Sequence, residues 1–243
     1  MQYCISKDAY LSQLMNGQGK KIKRWKEMEN FPNVLQAKFE EVFNTNHKYK
    51  NNWKTSVFKN SNPIVLELGC GRGEYTVGLA KHFPEKNFIG IDIKGARIWK
   101  GASQAIASNL NNAFFIRTRI DFINSFFAEN EVDELWITFP DPQPQETRER
   151  KRLTAPMFME RYKKLLKPNG IVHLKTDNEG FFRYTLEEIE RNNYHLIEHT
   201  FDLYGERIES LDTKTQEILS IKTYYENLFS ARGHKIHYLK FRF

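Results

Sequence analysis

From Pro63 onward, short apolar runs alternate with longer amphipathic ones: PIVLELG, EYTVGLAKHF, NFIGIDI, ARIWKGASQAIASN, AFFIRT, DELWITF, PMFMERYKKLLKPNG, IVHLKTD and FFRYTLEEIERNN. The short runs set Val, Ile, Leu and Phe side by side, as strands covered on both faces do. The longer ones space their apolar residues as a helix does. Strand and helix in alternation predict an α/β fold with a mostly parallel, doubly wound sheet. KPNG and RNN supply the stop signals expected after helices, because Gly and Asn tolerate the left-handed conformation that ends one. The final segments, YHLIEHTFDLY and KIHYLKF, show partial period-two alternation and predict an antiparallel C-terminal strand closing the sheet.

Ahead of this pattern, residues 1–60 carry eleven Lys/Arg against five Asp/Glu, densest at KKIKRWK (20 to 26), and lack long regular periodicity. They predict a basic N-terminal extension, with one domain over 61–243 whose compact part starts at Pro63. Within the extension, NTNHKYKNNWKTSVFKNSN (44–62) is rich in Asn, Lys and Ser and predicts a connecting loop, since such a segment buries too little apolar surface to pack alone. A formal charge of +7 draws the chain toward polyanions without choosing among RNA, DNA and a membrane surface. The first residues lack the apolar core of a signal peptide, and no later stretch nears the ~20 apolar residues of a spanning helix, so a soluble cytoplasmic protein is expected. Cys4 and Cys70 are too few for a disulfide framework or a zinc knuckle and are expected as free thiols. HLIEH (195–199) matches a zinc pattern only on a helix. As the strand its alternation predicts, its ends would lie roughly 13 Å apart, and no metal is expected.

The first strand runs directly into ELGCGRGE, with Gly69, Gly71 and Gly73 at the strand-to-helix turn where backbone approaches a ligand closely. The second ends in FIGID, placing Asp92 where a Rossmann-type fold puts the carboxylate that grips ribose hydroxyls. A dinucleotide fingerprint needs a small residue at the position held here by Glu74. An acid there, with Glu67 just before the glycines, repels a diphosphate but suits a ligand bearing an ammonium and a sulfonium, which favours S-adenosyl-L-methionine. Glu67, Asp92, Asp141 and Asp177 each follow an apolar run and so share the crevice outside the carboxyl ends of a parallel sheet. After Asp141, fixed between prolines in FPDPQPQETRERKR, come Arg148, Arg150, Lys151 and Arg152, which are placed to hold nucleic-acid phosphates beside that crevice. Lys20, Lys21, Lys23, Arg24 and Lys26, with Trp25 among them, offer a second contact through charge and stacking.

The constellation LELGCGRGE, FIGIDI, FPDPQP followed by KRL, LKTDN and the late TYYE resembles the bacterial tRNA (guanine-N7-)-methyltransferase family (TrmB type), over nearly the whole chain. The resemblance implies a class I methyltransferase domain that moves a methyl group from S-adenosyl-L-methionine to N7 of a guanine in the tRNA variable loop, at position 46. Carried over residue by residue, it implies that Glu67, Gly69, Gly71, Gly73 and Asp92 bind the cofactor and that Asp141 sits at the methyl-transfer centre. It further implies that Asp177, Thr223, Tyr225 and Glu226 contact the guanosine. The acid that many relatives place near the adenine is Arg119 here, with Asp121 two residues on. Gln143 stands where many have Trp, and Gln145 replaces a usual lysine in the substrate-binding run.

N7 of neutral guanine is a bare acceptor, so its methylation needs alignment and negative potential rather than a general base. Two other readings stand beside this one. A nucleic-acid amino-methyltransferase would use a similar Asp-Pro-Pro-Tyr loop, whose stacking aromatic is missing here, and an RNA-binding module of the same fold would lack catalysis. A tRNA partner is expected, DNA and membrane are not, and both a monomer and a homodimer suit the sequence. Thr223 and Glu226 form a capping-box pattern, and Tyr225, Leu228 and Phe229 fall at the spacing of a core stripe.

Overall fold

The computed structural model describes Gly19 and residues 22–243, so Cys4, Lys20 and Lys21 lie outside the described residues. Residues 22–29 form helix α1. There follow β1 (Val34–Leu35), β2 (Ile64–Leu68), α2 (Glu74–His82), β3 (Asn87–Asp92), α3 (Gly95–Ala107), β4 (Ala113–Arg117), a short α4 (Ile123–Phe126) and β5 (Val132–Thr138). The second half adds α5 (Pro156–Leu165), β6 (Leu166–Thr176), α6 (Glu179–Arg191), β7 (His195–Thr200), α7 (Thr213–Leu219), α8 (Tyr224–Ser230) and β8 (His237–Arg242).

These strands form one eight-stranded sheet in the order β1-β4-β3-β2-β5-β6-β8-β7. Every pairing is parallel except those of β8, which lies antiparallel between β6 and β7. Each position of β2 and β3 is buried, as doubly covered parallel strands require. Leu66 and Leu68 turn to a core shared with Phe158 of α5 and Phe181 of α6, while Val65 turns to one shared with Val77 of α2 and Ile98 of α3. The strand order reverses between β2 and β5, and the crevice at a reversal is where a doubly wound sheet binds its ligand.

Several expectations meet a difference. Segment 44–62 is tied into the core: Trp53 is fully buried with Phe58, and its indole N–H donates to the Phe126 carbonyl at 2.8 Å. Composition counted the Asn, Lys and Ser residues and missed that two aromatics, one wide helical turn apart, anchor the segment. Helix α5 stops at Leu165, just before KPNG, as expected, but KPNG then loops out within β6, between the Val132–Leu166 and Glu134–Ile171 pairs, with Asn169 at φ 65°. Leu228 is exposed and Tyr225 and Phe229 are half-buried, so α8 carries no core stripe. HLIEH is strand β7, which removes the helical geometry its zinc pattern needs. Cys70 is a buried free thiol. Among the described residues, no helix is long and apolar enough to cross a membrane.

Candidate functional site

The loop after β2 sets all three glycines in the left-handed region, Gly69 at φ 73°, Gly71 at 56° and Gly73 at 70°. Asp92, at the end of β3, holds this loop in place: one carboxylate oxygen accepts the Gly71 N–H at 2.9 Å and the other the Lys94 N–H at 2.7 Å. Each oxygen keeps a lone pair for a further donor, and the side chain opens into the cleft above.

Glu67 behaves differently. Its side chain is buried, one oxygen accepting from the Thr138 hydroxyl at 2.6 Å and the other from the Thr76 N–H at 2.8 Å and the Thr76 hydroxyl. It thus ties β2 to the first turn of α2 and to β5, beneath the loop rather than in the cleft. Burial outweighs these bonds and pushes its carboxyl up to about 7. Because that lies above the ordinary value of 4.5, the folded protein keeps a proton that the unfolded chain has released, and stability falls as pH rises from 4.5 through about 7. Glu67→Gln keeps the shape and removes the buried charge. Its stability should match wild type at pH 5 and exceed it at pH 8 by up to about 3 kcal/mol. Denaturant unfolding at the two pH values checks this, and a variant no better at pH 8 than at pH 5 would show the charge to be solvated.

Above the switch point lies a cleft of about 690 Å³. Gly69 and Asp92 meet there with Ile93 and Thr118 to Asp121 on one side, and with Phe139 to Asp141, Arg150, Lys151 and Met157 on the other. Ile93 is 54% exposed and Met157 45%, so both offer apolar surface inside an otherwise polar cleft. Arg119 and Asp121 pair with each other at 3.2 Å on its wall.

The Asp141 loop is held in a costly conformation. Phe139 sits at φ 48° and Gln143 at φ 45°, a region that side-chain-bearing residues enter at roughly 1–3 kcal/mol each. Phe139 N–H donates to the Lys175 carbonyl at 2.8 Å, and Asp141 accepts the Gln143 N–H at 3.2 Å. Arg152 braces the far side, its guanidinium donating to the Gln143 carbonyl at 3.3 Å and lying 4.3 Å over the Tyr184 ring. The basic run therefore divides. Arg150 and Lys151 line the cleft, Arg148 is exposed outside it, and Arg152 supports the loop. The Gln145 carbonyl accepts the Arg148 N–H at 2.9 Å, starting the 3-10 turn Glu146–Lys151.

Asp177, just past β6, is partly buried, and burial pushes its carboxyl above the ordinary aspartate range; His234 lies 3.9 Å away. The capping box of α8 is present, the Thr223 hydroxyl accepting the Glu226 N–H at 3.1 Å. Glu226 is fully buried against Lys175 at 3.0 Å, also fully buried. Asp177, Thr223 and Glu226 thus lie outside the cleft lining. Tyr225 reaches it indirectly, stacked at 5.5 Å under Arg97, while Arg72 of the glycine loop lies 3.6 Å over Tyr224. Residue reasoning missed Ile93, Arg97, Phe139 and Met157. Ile93 carried a usable signal, an apolar residue straight after the strand-end acid, which the strand pattern absorbed.

A family described as "Putative methyltransferase" matches residues 61–239. The chain is 48% identical to a tRNA (guanine-N(7)-)-methyltransferase of Bacteroides fragilis, covering 91% of this chain and 84% of that protein. It is 46% identical to a protein of the same name from Christiangramia forsetii, covering 93% and 99%. Among solved structures, the 16S rRNA methyltransferase KamB superposes with a TM-score of 0.59 at 12% identity, over 81% of this chain and 94% of that one, which shows a shared fold. The chain belongs to the tRNA (guanine-N7-)-methyltransferase family.

Proposed function

We propose that the cleft binds S-adenosyl-L-methionine at the glycine loop and presents Asp141 to a guanine of tRNA, whose N7 takes the methyl group. The observation that carries this reading is the meeting of Asp92, Asp141, Arg150 and Lys151 in one cleft above the glycine loop. The residues present fit the cofactor: close-approach glycines, a carboxylate with free lone pairs for ribose hydroxyls, and the apolar face of Ile93 for a base. Arg119 and Asp121 stand at the adenine end, and Glu67 acts from beneath by fixing the loop. When bound, the cofactor supplies a methyl group made electrophilic by its sulfonium.

The chain's own task is alignment. Neutral guanine N7 carries a lone pair and no proton, so no base has to act before transfer. Asp141, exposed at the cleft, accepts hydrogen bonds from the N1–H and 2-amino edge of guanine and offsets the positive charge the product base acquires. Its loop is fixed by prolines on both sides and by Arg152, so little reorientation is needed at the moment of transfer. Asp177, Thr223 and Tyr225 belong to the guanosine side, and Gln145 and Arg148 to the RNA path leading away from the cleft. Lys23, Arg24 and Lys26 extend the basic surface from α1, whose Met28 packs beside Gly95 at the start of α3. A tRNA substrate supports a cytoplasmic site of action. The amino-methyltransferase alternative gains nothing from the relatives, and the loop carries Gln143 where that chemistry stacks an aromatic.

Arg150 and Lys151 are assigned to RNA phosphates. Replacing both by alanine should raise the tRNA KM by ~10-fold or more and leave kcat within about twofold. The dependence of log affinity on log salt should become shallower by about one for each phosphate no longer neutralised. An unchanged salt slope would take these two side chains out of the RNA path. The reading itself is tested by incubating the protein with labelled S-adenosyl-L-methionine and unmodified tRNA and then analysing nucleosides. Labelled 7-methylguanosine is expected, and label in an amino-methylated base would replace the reading with its alternative.

A further inference from the structure

In the turn FEEVF (39–43), Val42 points into the core at 3% exposure while the two phenylalanines point out, Phe39 at 56% and Phe43 at 51%. No large apolar side chain among the described residues is more exposed than Phe39. The Phe43 N–H donates to the Phe39 carbonyl at 2.9 Å, a spacing of four that sets both side chains on one face, and their rings stack at 4.7 Å with planes 19° apart. Phe122 meets both rings edge-on, at 5.8 and 6.5 Å. Exposed apolar residues scattered singly are ordinary, whereas rings grouped on a surface mark a place of interaction.

The turn is fixed before anything lands on it. The Ser125 hydroxyl donates to the Val42 carbonyl at 2.7 Å, the Lys38 N–H donates to the Glu41 carboxylate at 2.7 Å, and Trp53 fastens the following segment to the core. Two stiff rings on a fixed turn lose little freedom when a flat ligand covers them.

Charge and position indicate the ligand. Residues 38–59 carry five lysines against Glu40 and Glu41, and Glu41 is turned back onto its own turn. Lys38, Lys48 and Lys59 are exposed. The patch is continuous with the cleft, since Phe122 directly follows Asp121 of the cleft wall. Flat apolar faces among lysines suit a nucleic-acid strand, whose bases stack on the rings while its phosphates attract the cations.

We propose that Phe39 and Phe43 form a stacking platform for an unpaired base of the RNA whose guanine enters the cleft. This rests on the reading of the cleft given above and adds a contact outside it, one carried by stacking rather than by charge.

The test uses two double variants of the full chain. Phe39→Leu with Phe43→Leu keeps apolar bulk and removes the flat faces, and Phe39→Ala with Phe43→Ala removes both. Each is compared with wild type for tRNA affinity at several salt concentrations, kcat, tRNA KM, thermal unfolding and sedimentation. Both variants should bind unmodified tRNA ~10-fold or more weakly and raise its KM to match, with kcat within about twofold. Their melting temperatures should stay within about 3 °C of wild type, as for other surface substitutions. The slope of log affinity against log salt should stay at the wild-type value, because no phosphate contact is lost, in contrast to the Arg150 and Lys151 variant. Wild-type affinity in both variants overturns the proposal, and so does a leucine variant that binds as wild type while the alanine variant does not, since the contact would then be apolar without stacking. Dissociation of a wild-type dimer by the alanine substitutions would assign the rings to a second copy of this chain. A lower melting temperature with unchanged affinity would assign them to the chain's own residues, and either result overturns the platform. Wild type assayed on the same tRNA separates the two levels. Without 7-methylguanosine from wild type the cleft reading fails, whereas a working wild type with unaffected phenylalanine variants overturns only the platform.

Discussion

Asp141→Ala is expected to lower methyl transfer to tRNA by at least ~10²-fold while leaving the fold intact. The side chain is exposed, and the one hydrogen bond it makes within the described residues is to the Gln143 N–H at 3.2 Å, so its removal should change stability by no more than about 0.5 kcal/mol. The loss belongs to the chemical step. A positioned carboxylate that both orients the guanine edge and offsets developing charge supplies an interaction that strengthens in the transition state, and deleting one such interaction typically costs two to three orders of magnitude. Asp141→Asn separates the two contributions, because the amide keeps an acceptor for the base edge and drops the charge. It should fall between the alanine variant and wild type. Single-turnover rates on unmodified tRNA measure this, and near-wild-type turnover by the alanine variant would remove Asp141 from the mechanism.

The second large effect is on the framework. Gly73→Ala places a methyl group at φ 70°, a region that costs an alanine roughly 1–2 kcal/mol. That methyl would also lie 2.6 Å from a Phe115 ring carbon and 3.1 Å from the Gly101 backbone of α3, so overpacking adds about 1–3 kcal/mol. Phe115 is fully buried on β4, packed between α2 and α3, and has no space to swing into. A loss of this size takes a large share of the roughly 5–15 kcal/mol that holds a typical domain together, and the melting temperature should drop by on the order of 10 °C. Cofactor affinity should fall with it, since Gly73 also opens the first turn of α2. Gly180→Ala is the control, because its new methyl would meet nothing closer than 3.5 Å in the first turn of α6. It should be neutral or slightly stabilising. A Gly73→Ala protein that melts with wild type would mean that the loop tolerates another path.

What could be read from the sequence was what is local. The strand, glycine turn and helix around Gly69 to Gly73 lie within one stretch, and Asp92 follows at the end of the next strand, so spacing alone placed both beside the cleft. The capping box of Thr223 and Glu226 was legible for the same reason. Partners distant in the chain were not. Glu67 looked like a ligand because it precedes the glycines, yet it is engaged by Thr138, 71 residues away, on a face that only the β2–β5 pairing decides. Both oxygens of Glu226 accept from Lys175, 51 residues before it, a pairing that no local spacing announces. The prolines around Asp141 announced a rigid turn, but the left-handed backbone at Phe139 and Gln143 has no sequence signature in residues that normally avoid it. Trp53 shows the converse error, a loop-like composition hiding an aromatic that the core requires.

Methyl transfer to N7 is tested most directly with tRNA transcribed with 7-deazaguanosine in place of guanosine, which exchanges N7 for a carbon and leaves the Watson–Crick edge and the phosphates unchanged. No methyl incorporation into this RNA is expected, while it should compete with unmodified tRNA at a similar concentration because the interactions assigned to Arg150, Lys151 and Asp141 are all retained. Methylation of the substituted RNA at the rate of the unmodified one would contradict the assignment, since the methyl group would then be reaching an atom other than N7.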